Sequence, residues 1–155
     1  MAQHRLLFVC LGNICRSPIA QGVFAHVAAQ AGVYDRVDLD SAAIGDWHIG
    51  NPPDERAIAM ALKRGIDLSD QRARQVRSED FEMFDMILAM DRSNLNELLD
   101  LAPQHRADRV QLFLGPEHDP IEREVPDPYF GDDKGFEEVI NLVEAGSREL
   151  LARLT

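Results

Sequence analysis

The chain has 155 residues, 27 of them acidic and 16 basic, giving a formal net charge of −11. That length suits one domain with a real core, and the acidic balance argues against a nucleic-acid footprint or binding to an anionic membrane surface. The longest apolar run, Leu6 to Leu11, is far too short to span a bilayer, no secretory leader is visible, and two cysteines make no disulfide framework, which points to a reducing cytoplasm.

Arg5–Cys10 (RLLFVC) is continuously apolar after its first residue and reads as a buried parallel strand. A turn, Leu11–Arg16, follows. Ser17-Pro18 is then expected to open a helix, serine as N-cap and proline at the first helical position, with Ile19, Val23, Phe24 and Val27 on one face and Gly32 as its stop. Val37–Ser41 reads as a second strand. Asn51-Pro52-Pro53 introduces a second helix over about Asp54–Arg64, closed by Gly65. Phe84–Met90 reads as a central strand, Asp91–Leu101 as a third helix, and Val110–Leu114 as a last strand. Phe136, Val139, Ile140, Val143, Leu150, Leu151 and Leu154 mark a final helix.

This alternation predicts an α/β fold: a central parallel sheet of about four strands with helices on both faces, in a single domain over residues 1–155. Ligands in such folds bind at the carboxyl ends of strands near a topological switch point, so the first strand-to-helix turn is where a site is expected. A second segment, Gly115–Gly135, holds Pro116, Pro120, Pro126 and Pro128 among many acids and has no periodicity. Irregular stretches of that length are usually functional or mobile.

The turn runs Val9-Cys10-Leu11-Gly12-Asn13-Ile14-Cys15-Arg16-Ser17-Pro18. It is neither a dinucleotide fingerprint nor a Walker A loop, since GxGxxG and Gly-Lys-Ser/Thr are both missing. Cys-x5-Arg by itself is a weak signal, and for an isolated pair a buried structural cysteine with an arginine paired to a surface acid is the commoner meaning. Its context strengthens it, because the cysteine ends a strand and the arginine meets a helix N-terminus, whose free N–H groups and dipole attract anions. Gly12 and Asn13 tolerate left-handed backbone angles, so the turn can aim successive N–H groups inward as a nest. Arg16 adds a planar fork for phosphate oxygens, and the same field favours a thiolate at Cys10. A thiolate beside a phosphate cradle is a nucleophile for phosphoryl transfer. Zinc is a poor reading: the cysteines are spaced C-x4-C and no paired histidines lie near.

The segment VCLGNICRSP resembles the phosphate-binding loop of the low-molecular-weight protein tyrosine phosphatases. The resemblance extends over nearly the whole chain: Ser41-Ala42-Ala43, Trp47 through Pro53, Ala73-Arg74-Gln75, Asp80-Phe81, Met90-Asp91 with Asn94, and Asp127-Pro128-Tyr129-Phe130-Gly131. It implies that Cys10 is the nucleophile and forms a phosphocysteine. Phosphate would be bound by Leu11, Gly12, Asn13, Ile14, Cys15, Arg16 and Ser17, with Arg16 on the equatorial oxygens and Ser17 bonded to the sulfur. Asp127 would protonate the leaving phenolate and then activate water. Residue type alone does not separate Asp127 from Asp119, Glu122, Glu124, Asp132 and Asp133; the Asp-Pro-Tyr match selects it. Trp47 and Tyr129 would flank the substrate ring with Phe130 at the rim, and Asn13, Ser17, Ser41 and Asp91 would support the loop. Asp91 also sits where a cap for the third helix belongs.

The activity so implied is hydrolysis of phosphotyrosine on proteins or peptides and of aryl phosphates, releasing inorganic phosphate. It needs no cofactor and no metal, and involves no nucleic acid or membrane, in a cytoplasmic monomer. A protonated acid acting beside a thiolate predicts a rate maximum at about pH 5–6. The two cysteines would form a reversible disulfide that protects Cys10 from oxidation. Two departures stand out: Gln71 replaces a histidine that many members carry, and Phe130 replaces a second regulatory tyrosine. Arg72, Arg74 and Arg77 form a basic cluster, either a steering patch for acidic phosphopeptides or a solvated face. Rival readings are an arsenate reductase, disfavoured because no cysteine follows Cys15, a phosphocarrier, for which Asp127 is superfluous, and an anion- or redox-sensing module without turnover.

Overall fold

Strand β1, His4–Cys10, runs through the middle of the molecule, and its four residues Leu6 to Val9 are wholly buried. A strand sends successive side chains to opposite faces. Leu6, Phe8 and Cys10 enter one core layer, shared with α1 (Arg16–Gln30), α2 (Glu55–Leu62) and α5 (Asp133–Leu154). Leu7 and Val9 enter the other, shared with Phe81 of α3 (Asp80–Met83) and Leu98 of α4 (Arg92–Leu101). A strand buried on both faces has no polar side to offer, which is why its sequence reads as a continuous apolar run. Each such leucine or phenylalanine contributes about 1.5–3 kcal/mol by leaving water.

The computed structural model describes residues 3–115 and 123–155. Within it β1 pairs in parallel with β2 (Val37–Ala43) on one side and β3 (Met86–Ala89) on the other, and β3 pairs with β4 (Val110–Leu112). The order β2-β1-β3-β4 makes a four-stranded, all-parallel sheet with helices on both faces, as expected. From β1 the chain first winds outward to β2 and later returns past β1 to β3 and β4. The topological switch therefore lies at β1, and the crevice at its carboxyl end opens onto residues 11–15. Among the described residues no helix is long and apolar enough to cross a membrane.

Several expected boundaries move. The second strand continues to Ala43, whose N–H bonds Arg74 O at 2.7 Å. The expected Phe84–Met90 strand shortens to Met86–Ala89, because Phe84 closes α3 and the Asp85 carboxylate instead accepts Arg5 N at 2.8 Å. The last strand stops at Leu112 rather than Leu114. The second helix spans Glu55–Leu62 with the Asp54 side chain capping Arg56 N at 2.9 Å. The final helix starts at Asp133, inside the segment expected to be irregular, with Asp132 as its cap. Pro116, Asp119, Pro120 and Glu122 of that segment lie outside the described residues.

Candidate active site

Cys10 ends β1 and is buried, 3% exposed. The loop after it turns at Asn13, whose φ of 57° makes it the one non-glycine residue with left-handed backbone among those described. That turn brings Asn13 N–H back to the Cys10 sulfur at 3.3 Å. Gly12 does not adopt a left-handed angle, so the turn uses that freedom at Asn13 alone. The smallness of Gly12 serves the His48 imidazole instead, since a Cβ there would sit 3.0 Å from His48 Cδ2.

Ser17 does not cap the first helix. The helix begins at Arg16 with Cys15 in the cap position and no capping side chain, so Ser17 is already inside the first turn. Its hydroxyl is used otherwise: it accepts from Asn13 Nδ2 at 2.7 Å, which leaves its own O–H free to donate to Cys10 Sγ at 3.1 Å. Asn13 Nδ2 also donates to Ser41 Oγ at 2.9 Å, and Asn13 Oδ1 accepts Arg74 N at 3.1 Å. Ser41 Oγ faces Gln71 Oε1 at 3.4 Å, and Gln71 Nε2 donates to Pro18 O at 3.0 Å. The glutamine thus closes the chain of hydrogen bonds behind the loop, with Asn13 and Ser41 as its middle members.

Arg16 is 3% exposed and lies across the loop. Nη1 donates to Asp91 Oδ2 at 2.6 Å and to Val125 O at 3.2 Å, and Nη2 stands 3.6 Å from Asp127 Oδ2. Burial disfavours the guanidinium charge, but Cys10, Asp91 and Asp127 outweigh it and hold its pKa above the ordinary value. The second Asp91 oxygen accepts Asn94 N at 2.8 Å, so this carboxylate caps α4 and orients Arg16 at once. Asp127 Oδ1 accepts Tyr129 N at 3.1 Å, a local turn that leaves Oδ2 for the site. Cys15 is buried, and burial first, then Asp54 and Cys10, push its thiol pKa well up. Both cysteines are free thiols.

These residues line a cleft of ≈ 260 Å³, bounded by Cys10, Leu11, Gly12, Ile14, Cys15 and Arg16 below and by Trp47, His48, Asp127, Tyr129 and Phe130 above. That is at the small end for ligand pockets and suits one ring with its anion rather than a large cofactor. Trp47 is 66% exposed and Phe130 94%, so both belong to the mouth and not to the core. The Trp47 indole folds over the bare backbone of Gly45, where a Cβ would lie 2.0 Å from Cζ3. Tyr129 and Phe130 meet edge to face at 4.9 Å. Asn13, Ser17, Ser41 and Asp91 stand behind the lining.

Two contributors were not legible beforehand. His48 lines the cleft, though no histidine was assigned a place. Arg56 joins the Asp54 carboxylate to the carbonyls of Tyr129 and Gly131, at 2.8 Å and 3.0 Å for the carbonyls. Backbone carbonyls leave no trace in residue type, so no signal could have pointed to that pairing. Of the basic cluster, Arg74 is engaged by Asp40 at 3.1 Å and by the buried Asp80 at 2.9 and 3.0 Å, which removes it from a steering role.

A thiol, an arginine and a carboxyl group converging on the strand-end loop of a parallel α/β sheet define a thiol-centred anion site. The family model described as low molecular weight phosphotyrosine protein phosphatase matches residues 5–155. The chain is 42% identical over 149 residues to the low molecular weight protein-tyrosine-phosphatase YfkJ of Bacillus subtilis, covering 96% of this chain and 94% of that one. It is 44% identical over 135 residues to the low molecular weight phosphotyrosine protein phosphatase of Sus scrofa, covering 86% and 85%. Its fold matches a crystal structure of the protein tyrosine phosphatase from Entamoeba histolytica with a TM-score of 0.91 at 39% identity, over 97% of this chain and 96% of the other. The chain belongs to the low molecular weight phosphotyrosine protein phosphatase family.

Proposed function

We propose that this phosphatase hydrolyses phosphotyrosine on protein substrates by two successive phosphoryl transfers through Cys10. One observation carries the assignment of roles. The Cys10 sulfur receives Asn13 N–H at 3.3 Å and faces the Ser17 hydroxyl at 3.1 Å, in a cleft whose wall holds Arg16 and Asp127 3.6 Å apart. Two donors aimed at one sulfur fix its position at the floor of the cleft and would stabilise the charge it carries when it leaves phosphorus.

In the first transfer the sulfur attacks phosphorus, an S–P bond forms and the P–O bond to the ring breaks. Asp127 gives its proton to the departing phenolate oxygen. In the second, the Asp127 carboxylate takes a proton from water, whose oxygen attacks phosphorus. The S–P bond breaks, inorganic phosphate leaves, and the thiolate returns to the Asn13 and Ser17 donors. Loop N–H groups and the Arg16 guanidinium offset the charge on the phosphoryl oxygens in both transfers. Trp47 and Tyr129 flank the opening, so an aryl ester can rest on aromatic walls while its phosphate reaches the sulfur, which a shorter alkyl phosphate cannot.

The test is hydrolysis of p-nitrophenyl phosphate with reductant and chelator present. Cys10→Ser is expected to be inactive. Asp127→Ala is expected to lose about 10²–10⁴-fold for leaving groups that need a proton, and far less for those that do not. An inactive parent, or an active Cys10→Ser, would sink this reading.

A further inference from the structure

We propose that Arg56 is the positioning residue of the acid-bearing loop, setting where Asp127 stands relative to the Cys10 sulfur. This rests on the reading of Asp127 as general acid. Arg56 lies in the first turn of α2 and does not line the cleft. Its guanidinium holds the backbone just beyond Asp127: Nη2 donates to Tyr129 O at 2.8 Å and Nη1 to Gly131 O at 3.0 Å. Two further donors are fixed by the Asp54 carboxylate, Nε to Oδ1 at 3.0 Å and Nη2 to Oδ2 at 3.1 Å. The plane of the group is set by Phe136 of α5, whose ring centroid lies 4.7 Å from Cζ. Carbonyl, carboxylate and ring together leave the fork one orientation.

The other end of this bridge is the phosphate loop. Asp54 N–H donates to Ile14 O at 2.8 Å. The start of α2 therefore spans the two halves of the site, Ile14 on the nucleophile's loop and Tyr129 and Gly131 on the acid's. The acid-bearing loop is anchored separately on its N-terminal side, where Val125 N bonds Met90 O at 2.8 Å and Val125 O accepts from Arg16 at 3.2 Å. Between these anchors stand Pro126, Asp127 and Pro128, and among the described loop residues the one bond to the Asp127 side chain comes from Tyr129 N. With Arg56 removed, the Tyr129 and Gly131 carbonyls lose their bonds to α2, and the hydrogen bonds left to that stretch of backbone among the described residues, Tyr129 N to Asp127 and Gly131 N to Pro128 O, lie within the loop itself. Proton transfer to the leaving group requires hydrogen-bond reach, so a shift of about 1 Å is costly.

The experiment compares kcat/KM for two substrates in the parent, Arg56→Ala, Arg56→Lys, Asp127→Ala and the double variant Arg56→Ala/Asp127→Ala. Phenyl phosphate releases a phenolate of pKa about 10, which needs the acid. 2,4-Dinitrophenyl phosphate releases a stable anion that does not, and it doubles as a check that the variant is folded. Arg56→Ala is expected to lose at least about tenfold on phenyl phosphate and less than about threefold on the dinitrophenyl ester. Arg56→Lys keeps the charge without the fork and is expected to behave as the alanine variant. The double variant is expected to be within about twofold of Asp127→Ala. An equal loss on both substrates overturns the proposal, as does full rescue by lysine or an additive loss in the double variant. If Asp127→Ala itself shows no dependence on the leaving group, the acid assignment fails and the proposal falls with it, an outcome separate from a loss confined to Arg56.

Discussion

Asn13 is where the loop's geometry and its chemistry meet. Its backbone stands at φ 57°, its amide nitrogen holds Ser17 and Ser41, and its amide oxygen holds Arg74 N. Asn13→Ala removes three hydrogen bonds from a buried position and forces a residue with a Cβ but no polar side chain into the left-handed region. Unfolding in denaturant is expected to show a loss of about 2–4 kcal/mol. Asn13→Gly relieves the backbone strain and is expected to recover about 1 kcal/mol of it. Neither variant orients the Ser17 hydroxyl, so both are expected to turn over p-nitrophenyl phosphate slowly; a fully active Asn13→Gly would mean that the bond to Ser17 has no part in the reaction. That Cys10, Asn13 and Arg16 would gather around one turn was open to sequence reading because the loop is contiguous. Ser17 was only half legible. A serine beside a helix start suits a cap by type, whereas here its hydroxyl is drawn to the sulfur by Asn13.

Asp91 works between elements, tying α4 to the arginine that begins α1. One oxygen caps Asn94 N at 2.8 Å and the other accepts Arg16 Nη1 at 2.6 Å. Asparagine is as good a cap as aspartate, but it has one oxygen, and its NH2 group would face a donor on whichever side it turned. Asp91→Asn is therefore expected to lose about 1–3 kcal/mol in denaturant unfolding, close to Asp91→Ala, and to raise KM as Arg16 loses its brace. An asparagine variant as stable as the parent would show that the cap alone matters there. Element positions followed from β1's unbroken apolar run and from the Pro and Gly punctuation. α3 escaped notice because its four residues are too few to show a helical period. The strand expected over Phe84–Met90 came out short because an apolar run does not say which of its members pair.

Across the whole molecule, the contacts hardest to foresee join distant segments through backbone atoms, as Arg56 does with Tyr129 and Gly131, 73 and 75 residues away. Side-chain partners of the carboxylates, most of them arginines, decide how the acidic chain responds to pH. Asp54, where Arg56 outweighs the effect of burial, Asp67 held by Ser69, Glu82 held by Arg106 and then His105, and Glu144 held chiefly by Arg148 all lie below their ordinary values of 3.8 for Asp and 4.5 for Glu. A depressed carboxylate stabilises the fold above its unfolded pKa and loses that contribution as pH falls through its folded one. For these four the contribution is present above about pH 5 and is lost progressively below about pH 4.5. The thermal midpoint is thus expected to be flat between about pH 7 and pH 5 and to fall below about pH 4.5. The rate maximum expected at about pH 5–6 sits inside the flat region, so the decline in kcat/KM from there up to pH 7 reports proton transfer at the site. Measuring thermal midpoint and kcat/KM on the same samples separates the two. A midpoint that already drops between pH 6 and pH 5 would assign any loss of rate there to unfolding instead. A rate still rising at pH 8 would remove the protonated acid from the first transfer.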